Sequence, residues 1–272
     1  MLIDSCASGG RRNDLESMRR AVPLWRSDYA FEPIGHQCMM YGISLWLPYH
    51  GTGTVASAAA SYYGGGLTKV ESYAFWSNAA PSLGSGIDIR VRQLDYDTLR
   101  RLYQQWRQLS RYYYGDFYPL TPYTQDNRQW IAWQFHDPQE QAGAIQAFRR
   151  DQCPADGLRL RLYDLDPNAT YRFTVLEGQS PAEATGNDLL AQGLPVSTPQ
   201  RPGAVVPYTT ASEVAVPRVG QGGFAEPHRG SPFSLSFAPF AIPVGPSAFA
   251  AIAQIRSPDG PFSATARPAP GP

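Results

Sequence analysis

The order of apolar and polar positions predicts an α/β first half and an all-β second half. Short apolar runs, glycine loops and helical patterns alternate before Tyr118, and short strand patterns separated by turns follow it. One helix is clear, because apolar and aromatic residues recur every three or four positions after Asp97. Asp97 is its predicted N-cap and Gly115 its predicted end. Its apolar positions are Leu99, Leu102, Tyr103, Trp106, Leu109 and Tyr113.

Shorter elements are predicted on the amino-terminal side of this helix. Leu2 and Ile3 start a strand that runs into a glycine turn, and Asp14 is a residue type that caps helices. The next strand is predicted around Leu24-Trp25. Further elements are a short helix over 37–42, a strand over 43–47 and a strand over 72–76.

Strands dominate the second half. β-Branched and aromatic residues are concentrated over 129–135, 142–148, 158–163 and 170–176. The stretch from Leu158 to Leu162 alternates between apolar and charged residues, as a strand with one buried face does. Asp164 to Asn168 has the composition of a turn. Strands joined by short turns are therefore expected here.

Composition changes again after Ser212. Residues 212–272 contain no Lys, Cys, Met, Trp, Tyr or Asn but hold many of the 25 prolines. Few of these positions repeat as in a strand or helix, so an irregular Pro/Ala-rich tail is predicted. Its phenylalanines, such as Phe233 and Phe237, are unusual for a solvated linker. A natural tail and a frame-shifted end both fit this composition.

Charge and composition exclude several classes of protein. The 23 basic and 23 acidic residues cancel, whereas a protein that binds nucleic acid would show a basic excess. The three cysteines are widely spaced, so neither a disulfide framework nor a zinc site is indicated, and no metal or cofactor is expected. No apolar run approaches the roughly 20 residues of a membrane span. A globular protein with a substantial core is predicted.

Two motifs near the first residues contain reactive and sugar-binding residue types. The first is Cys6-Ala-Ser-Gly-Gly-Arg-Arg-Asn-Asp14, at the end of a predicted strand. Gly9 and Gly10 would let backbone N–H groups approach a ligand, and Arg12 could hold a hydroxyl or a carboxylate. Taken alone, Cys6 is more often a core residue, and Asp14 fits a helix N-cap as well as a pocket.

The second motif is Trp25-Arg-Ser-Asp28, at the end of the next predicted strand. An indole beside a carboxylate suits a sugar, because the C–H face of the sugar ring packs on the indole while the acid protonates a glycosidic oxygen. A single aspartate at a strand end is more often a helix cap or a salt-bridge partner, so Asp28 alone does not decide the function.

In combination, the two motifs resemble those of glycoside hydrolase family 36, the α-galactosidases and their relatives. That family carries Cys-x-x-Gly-Gly-x-Arg-x-Asp followed by Trp-x-Ser-Asp, and the spacing from Cys6 to Asp28 matches it without a gap. The resemblance continues through the long helix and the segments 112–124, 165–171 and 186–193. It implies the carboxyl-terminal part of a (β/α)8 barrel followed by an antiparallel β-sandwich.

The domain limits that follow are 1–118 for the barrel part, 119–211 for the sandwich and 212–272 for the tail. The resemblance also implies the function: a retaining hydrolase of terminal α-galactoside oligosaccharides, with homo-oligomer formation by the complete enzyme left open. In that family the last Asp of the second motif is the general acid/base, which here is Asp28. Cys6, Gly9, Gly10, Arg12 and Trp25 would then line the substrate pocket.

The sequence departs from the family pattern at two places. The family's nucleophilic aspartate lies in a Lys-x-Asp upstream of the cysteine motif, but the only lysine here is Lys69, followed by Val70-Glu71. Phe31 stands where the family usually has a second aspartate after the acid/base. The chain is therefore expected to be inactive alone, and an open half-barrel is expected to aggregate through unpaired strand edges. A non-catalytic carbohydrate-binding protein and a gene remnant are the alternatives.

Three other candidates have simpler interpretations. His36 and Cys38 provide only two metal ligands, so core packing is favoured. His50 follows a predicted strand and could reach a pocket rim or lie in the core. The glycine run before Lys69 lacks the spacing of a phosphate-binding loop.

Overall fold

The structure, a computed structural model, describes residues 3–6, 13–57, 69–176 and 182–211. The predicted tail lies outside these residues. Up to Gly115, the described residues form short strands and helices in alternation. The strands are β1 (Asp4–Cys6), β2 (Val22–Trp25), β3 (Gly51–Thr54) and β4 (Ser82–Ser85). The helices are α1 (Leu15–Met18), α2 (Pro33–Ser44), α3 (Ser72–Asn78) and α4 (Tyr96–Leu109).

The paired strands of this first half run parallel. β1 pairs with β2, with Cys6 opposite Trp25. β3 pairs with β4, with Gly53 opposite Gly84. The backbone N–H of Arg26 donates to the carbonyl of Gly51 over 3.1 Å, which holds the end of β2 against β3. Parallel strands need a crossover between them, and here helices supply it. The predicted α/β character of the first half is confirmed.

Two strands predicted in this half are wrong. Residues 43–47 contain the end of α2 and the turn after it, and residues 72–76 lie in α3. Met40, Phe75 and Trp76 are almost fully buried in these two helices. A short apolar run in a buried helix has the same pattern as a buried strand, so the sequence pattern alone did not separate them.

The long predicted helix is confirmed as α4, but its N-cap is Asp95 and not Asp97. The Asp95 carboxylate accepts a hydrogen bond from the Thr98 N–H at 3.0 Å. Asp97 lies in the first turn, where it pairs with Arg100 at 2.6 Å on the surface. After α4 a 3-10 helix spans Ser110–Tyr114, and Gly115 ends it as predicted.

The second half is antiparallel. Its strands are β5 (Asp116–Pro119), β6 (Trp130–Asp137), β7 (Ala142–Arg149), β8 (Gly157–Leu160), β9 (Thr170–Val175), β10 (Ala182–Thr185), β11 (Leu194–Ser197), β12 (Gly203–Val205) and β13 (Pro207–Ala211), and one helix, α5 (Gly186–Ala191), follows β10. Within the described residues, a seven-stranded sheet has the order β10-β9-β13-β7-β6-β5, with β12 also on β7, and β8 pairs with β11. The four strands predicted in this half correspond to β6, β7, β8 and β9.

Two large clusters of buried apolar side chains hold the described residues together. The first joins the two halves of the chain, and it includes Met40, Trp76 and Leu102 with Trp133 and Phe148. The second lies between the large sheet and the β8–β11 pair, and it includes Ile145, Tyr171 and Phe173 with Leu160 and Val196. A second layer against one face of a sheet is the arrangement of a β-sandwich, and the described residues form part of one.

A buried polar network ties α2 to the large sheet. Gln37 accepts a hydrogen bond from Arg150 Nε at 3.2 Å. Through Nε2, Gln37 donates to the hydroxyls of Tyr73 and Ser77, both at 2.9 Å. Arg150 also donates to the carbonyl of Asp126 at 3.0 Å. Because the Gln37 and Arg150 side chains are fully buried, each hydrogen bond replaces one that water would otherwise make.

Candidate functional site

Asp28 lies just beyond the carboxyl end of β2. Trp25 is the last residue of that strand, and its indole N–H donates to Oδ1 of Asp28 over 3.1 Å. Ser27 shapes the turn between them, because its hydroxyl accepts a hydrogen bond from the Tyr29 N–H at 3.1 Å. Trp25 and Asp28 are both half-buried. Asp28 therefore has a fixed partner on one side and remains within reach of a ligand on another.

Cys6 is the neighbour of this pair on β1. It lies opposite Trp25 in the parallel ladder. Cys6 is exposed, and its slight desolvation raises the pKa of the thiol, with the carboxylates of Asp4 and Asp28 raising it further. Asp4 is directed to β2, where its side chain accepts a hydrogen bond from the Leu24 N–H at 2.9 Å. The structure thus brings Cys6, Trp25 and Asp28 together at one end of the parallel strands.

The other members of the first motif are only partly described. Gly9, Gly10 and Arg12 lie outside the described residues. Asp14 lies within them and caps α1, because its carboxylate accepts a hydrogen bond from the Ser17 N–H at 2.9 Å. That bond is the main reason why the pKa of Asp14 is lowered. The helix-cap interpretation of Asp14 is confirmed.

Three glycines form a platform beneath the Trp25 ring. A Cβ atom on Gly53 would overlap with the benzo part of the indole, and one on Gly84 would lie 3.3 Å from it. A Cβ on Gly86 would lie 3.8 Å away. Because Gly53 and Gly84 face each other across β3 and β4, the ring rests on two neighbouring backbones. The sequence analysis did not predict this role. The signal for it was a glycine at every second position, Gly51 and Gly53 in one segment and Gly84 and Gly86 in the other.

Arg26 is buried on the other side of β2, against α2. One guanidinium nitrogen lies 3.0 Å from Nδ1 of His50, and another donates to the His36 carbonyl at 3.4 Å. Burial lowers the pKa of Arg26 to about 9. Burial and then the Arg26 charge lower the pKa of His36 to about 3 and that of His50 well below its usual range. Both imidazoles are therefore neutral near pH 7.

These histidines are structural. His36 and His50 are fully buried, so the core interpretation of His36 is confirmed and His50 does not reach a pocket rim. His50 Nε2 lies 3.2 Å from the Ser44 hydroxyl. Cys38 is directed away from His36, with its sulfur 3.5 Å from the Thr124 carbonyl. Over the described parts of the chain, no group of three or more His, Cys, Asp or Glu side chains could hold a metal ion.

In the part of the chain that the structure describes, every helix is too short or too polar to cross a bilayer.

Several solved structures with a similar fold are family-36 α-galactosidases. AgaA, a family-36 α-galactosidase from Geobacillus stearothermophilus solved with raffinose, is 18% identical, with a TM-score of 0.56 over 72% of this chain and 27% of its own. AgaA solved with stachyose is 21% identical, with a TM-score of 0.53 over 72% of this chain and 26% of its own. AgaB from the same organism is 20% identical, with a TM-score of 0.50 over 67% of this chain and 25% of its own. The chain shares its fold with part of the family-36 α-galactosidases.

Because the sequence identities are low, the likeness to family 36 establishes the fold alone. The resemblance drawn from the two motifs is confirmed for the fold. The chain spans about a quarter of the length of these solved enzymes. No protein-family model matches the sequence, and no curated protein matches it.

Proposed function

We propose that this chain is the carboxyl-terminal part of a retaining α-galactoside hydrolase, with Asp28 as its general acid/base. The observation that carries the proposal is the position of Asp28, at the carboxyl end of a parallel strand in a chain with a family-36 fold. Active sites of (β/α)8 barrels lie at the carboxyl ends of the strands. On this proposal, residues 1–118 complete a barrel and residues 119–211 form the sandwich beside it.

The proposed chemistry uses two carboxyl groups. Asp28 donates its proton to the glycosidic oxygen as the bond from that oxygen to the anomeric carbon breaks, and the second carboxylate attacks that carbon. Asp28 then takes a proton from the water that releases the sugar. The chain contains no Lys-x-Asp, so the second carboxylate is assigned to polypeptide outside these 272 residues.

The substrate assignment follows from the same family. The AgaA structures hold raffinose and stachyose, and we extend terminal α-galactosides of that kind to this chain. Cys6 and Trp25 border Asp28 and are proposed to line the sugar site together with Gly9, Gly10 and Arg12. Phe31, where the family usually has an acid, lies in a small apolar cluster with Ala30 and Val55. A sugar hydroxyl near that cluster would lack a charged partner.

Binding of a galactose-configured ligand tests the proposal on the chain itself. The probe is 1-deoxygalactonojirimycin, which AgaA holds in a solved structure. Its glucose-configured epimer, 1-deoxynojirimycin, is the control ligand. We expect calorimetric titration to show about tenfold preference for the galactose configuration, because a site built for one hydroxyl leaves polar groups unpaired with the other. The Asp28→Asn chain should lose most of this affinity, since the amide carries no charge. Equal binding of both epimers would overturn the proposal.

A second experiment addresses the missing carboxylate. The DNA upstream of the Met1 codon is sequenced and translated, and the encoded polypeptide is produced together with the chain. An in-frame Lys-x-Asp at a strand end, with hydrolysis of p-nitrophenyl α-galactoside that Asp28→Asn abolishes, would support the hydrolase. An in-frame stop without such a strand would favour the carbohydrate-binding alternative, since the sugar would then bind without turnover.

A further inference from the structure

We infer that Trp25 is a positioning residue for Asp28, held in place by the glycine platform, rather than a surface on which the sugar stacks. The inference rests on the function proposed above and gives Trp25 a different role within it. Two independent sets of contacts support it. One fixes the indole ring, and the other joins that ring to the carboxyl group.

The Trp25 ring is fixed because the residues of β3 and β4 beside it are glycines, which have no side chains. Gly53 and Gly84 are partners in the parallel ladder, and the benzo part of the indole occupies the space where their side chains would be. Gly86 extends the platform beyond the end of β4. Because the benzo end of the ring lies against this backbone, that end is closed to a ligand.

The hydrogen bond joins the fixed ring to the reacting group. An indole N–H donates and has no lone pair to accept with, so Oδ1 of Asp28 must present a lone pair to it. In a protonated carboxyl group the carbonyl oxygen is a better acceptor than the hydroxyl oxygen, so this hydrogen bond favours the acidic proton on the other oxygen, Oδ2. Trp25 thereby selects the oxygen that carries the transferable proton. During the proposed step the Oδ2–H bond breaks and an O–H bond forms on the leaving glycosidic oxygen, while the second carboxylate attacks the anomeric carbon.

The first test observes the hydrogen bond in the full chain by NMR of the indole N–H groups. The Trp25 signal, assigned by its loss in Trp25→Phe, should shift with pH as Asp28 ionises. In Asp28→Asn the amide oxygen still accepts the bond but does not titrate, so the shift should disappear. Trp106 and Trp130 donate to backbone carbonyls and serve as internal controls. If the chemical shift of the Trp25 indole N–H did not change when Asp28 ionises, the inference would be overturned.

The second test displaces the ring without touching either partner. Gly53→Ala places a methyl group where the indole lies, and we expect the pH-dependent shift of the Trp25 signal to be lost. The matched control is Gly42→Ala in α2, where a Cβ meets nothing within 4 Å, and it should leave the signal unchanged. An unchanged signal in a folded Gly53→Ala chain would contradict the role of the platform.

The third test separates positioning from sugar stacking. Trp25→Phe keeps an aromatic ring but removes the donor, so we expect affinity for 1-deoxygalactonojirimycin to fall about tenfold. In a chain that also carries Asp28→Asn, the same Trp25→Phe change should cost much less affinity, because the hydrogen bond from the indole N–H to the carboxylate is already weakened. An equal loss in both backgrounds would indicate stacking and would count against positioning.

The proposed function and the positioning role of Trp25 can be refuted separately. A chain that shows the coupled Trp25 signal but binds neither epimer would retain the Trp25–Asp28 link and refute the proposed function. A chain that binds the galactose-configured ligand, with Trp25 uncoupled from Asp28, would retain the function and refute the inference.

Discussion

Among single residues, the buried histidines have the most direct consequence for stability. Burial lowers the pKa of His36 to about 3, and burial also lowers the pKa values of His50 and His136. Around His136, the carboxylates of Asp116, Asp137 and Asp164 oppose part of this shift. The unfolded chain takes up protons at these sites near pH 6.5, whereas the folded chain resists them. The stability they contribute is present above that pH and is lost as the pH falls.

We therefore expect the free energy of unfolding to decrease between pH 7 and pH 4. Each histidine that stays neutral in the folded state contributes a slope of about 1.4 kcal/mol per pH unit below its unfolded pKa. Urea denaturation at several pH values measures this slope. His36→Gln should reduce the slope by about one histidine's share, because glutamine does not titrate. An identical slope in that variant would show that His36 is not kept neutral.

At the scale of elements, the N-cap of α4 offers a comparison within one turn. Asp95 satisfies the Thr98 N–H at the start of the helix, whereas Asp97 makes only an exposed ion pair with Arg100. We expect Asp95→Ala to lower the free energy of unfolding by about 1 kcal/mol. Asp97→Ala, the matched control, should lower it by about 0.5 kcal/mol or less. Urea denaturation of both variants decides, and equal losses would contradict this assignment of the cap.

Helices and strands were predicted correctly where their sequence pattern separates a buried face from an exposed one. α4 was predicted because one face is apolar and the other charged. The strands β6 to β9 were predicted from their β-branched and aromatic residues and the turns between them. Residues 43–47 and 72–76 were misassigned, because their helices are buried on several sides and their pattern has no polar face. The predicted cap was wrong by two residues, because Asp95 and Asp97 are the same residue type and only the structure shows that Asp95 accepts the Thr98 N–H.

The candidate site was predictable to a similar degree. Trp25 and Asp28 were found because they are close in the chain and belong to a recognisable motif. The platform under Trp25 depends on the register of β3 and β4, which places Gly53 opposite Gly84, and no local pattern encodes that pairing. The Arg26–His50 contact likewise joins residues that only the fold brings together.

For the molecule as a whole, the Gln37–Arg150 link makes the two halves depend on each other. Gln37→Leu would leave the Arg150 Nε and the hydroxyls of Tyr73 and Ser77 without their partner in a buried site. We expect a loss of about 3 kcal/mol in the free energy of unfolding, since each unsatisfied buried group costs about 1–3 kcal/mol. The exposed Gln139→Leu is the control and should change stability by less than about 0.5 kcal/mol.

Circular dichroism and tryptophan fluorescence monitor this prediction together. Because one apolar cluster contains side chains from both halves, the two signals should report a single transition in the wild-type chain and in Gln37→Leu. A separate early transition of the α/β half, with an unchanged antiparallel half, would show that the halves are energetically independent.

The position of β13 has a consequence for how the protein is made. This strand is the last one described along the chain, yet it lies inside the large sheet, between β7 and β9. A ribosome releases β7 and β9 before β13, so these two strands must wait with exposed edges until residues 207–211 have emerged. During synthesis the antiparallel half therefore cannot close strand by strand. It closes when β13 enters the gap between β7 and β9.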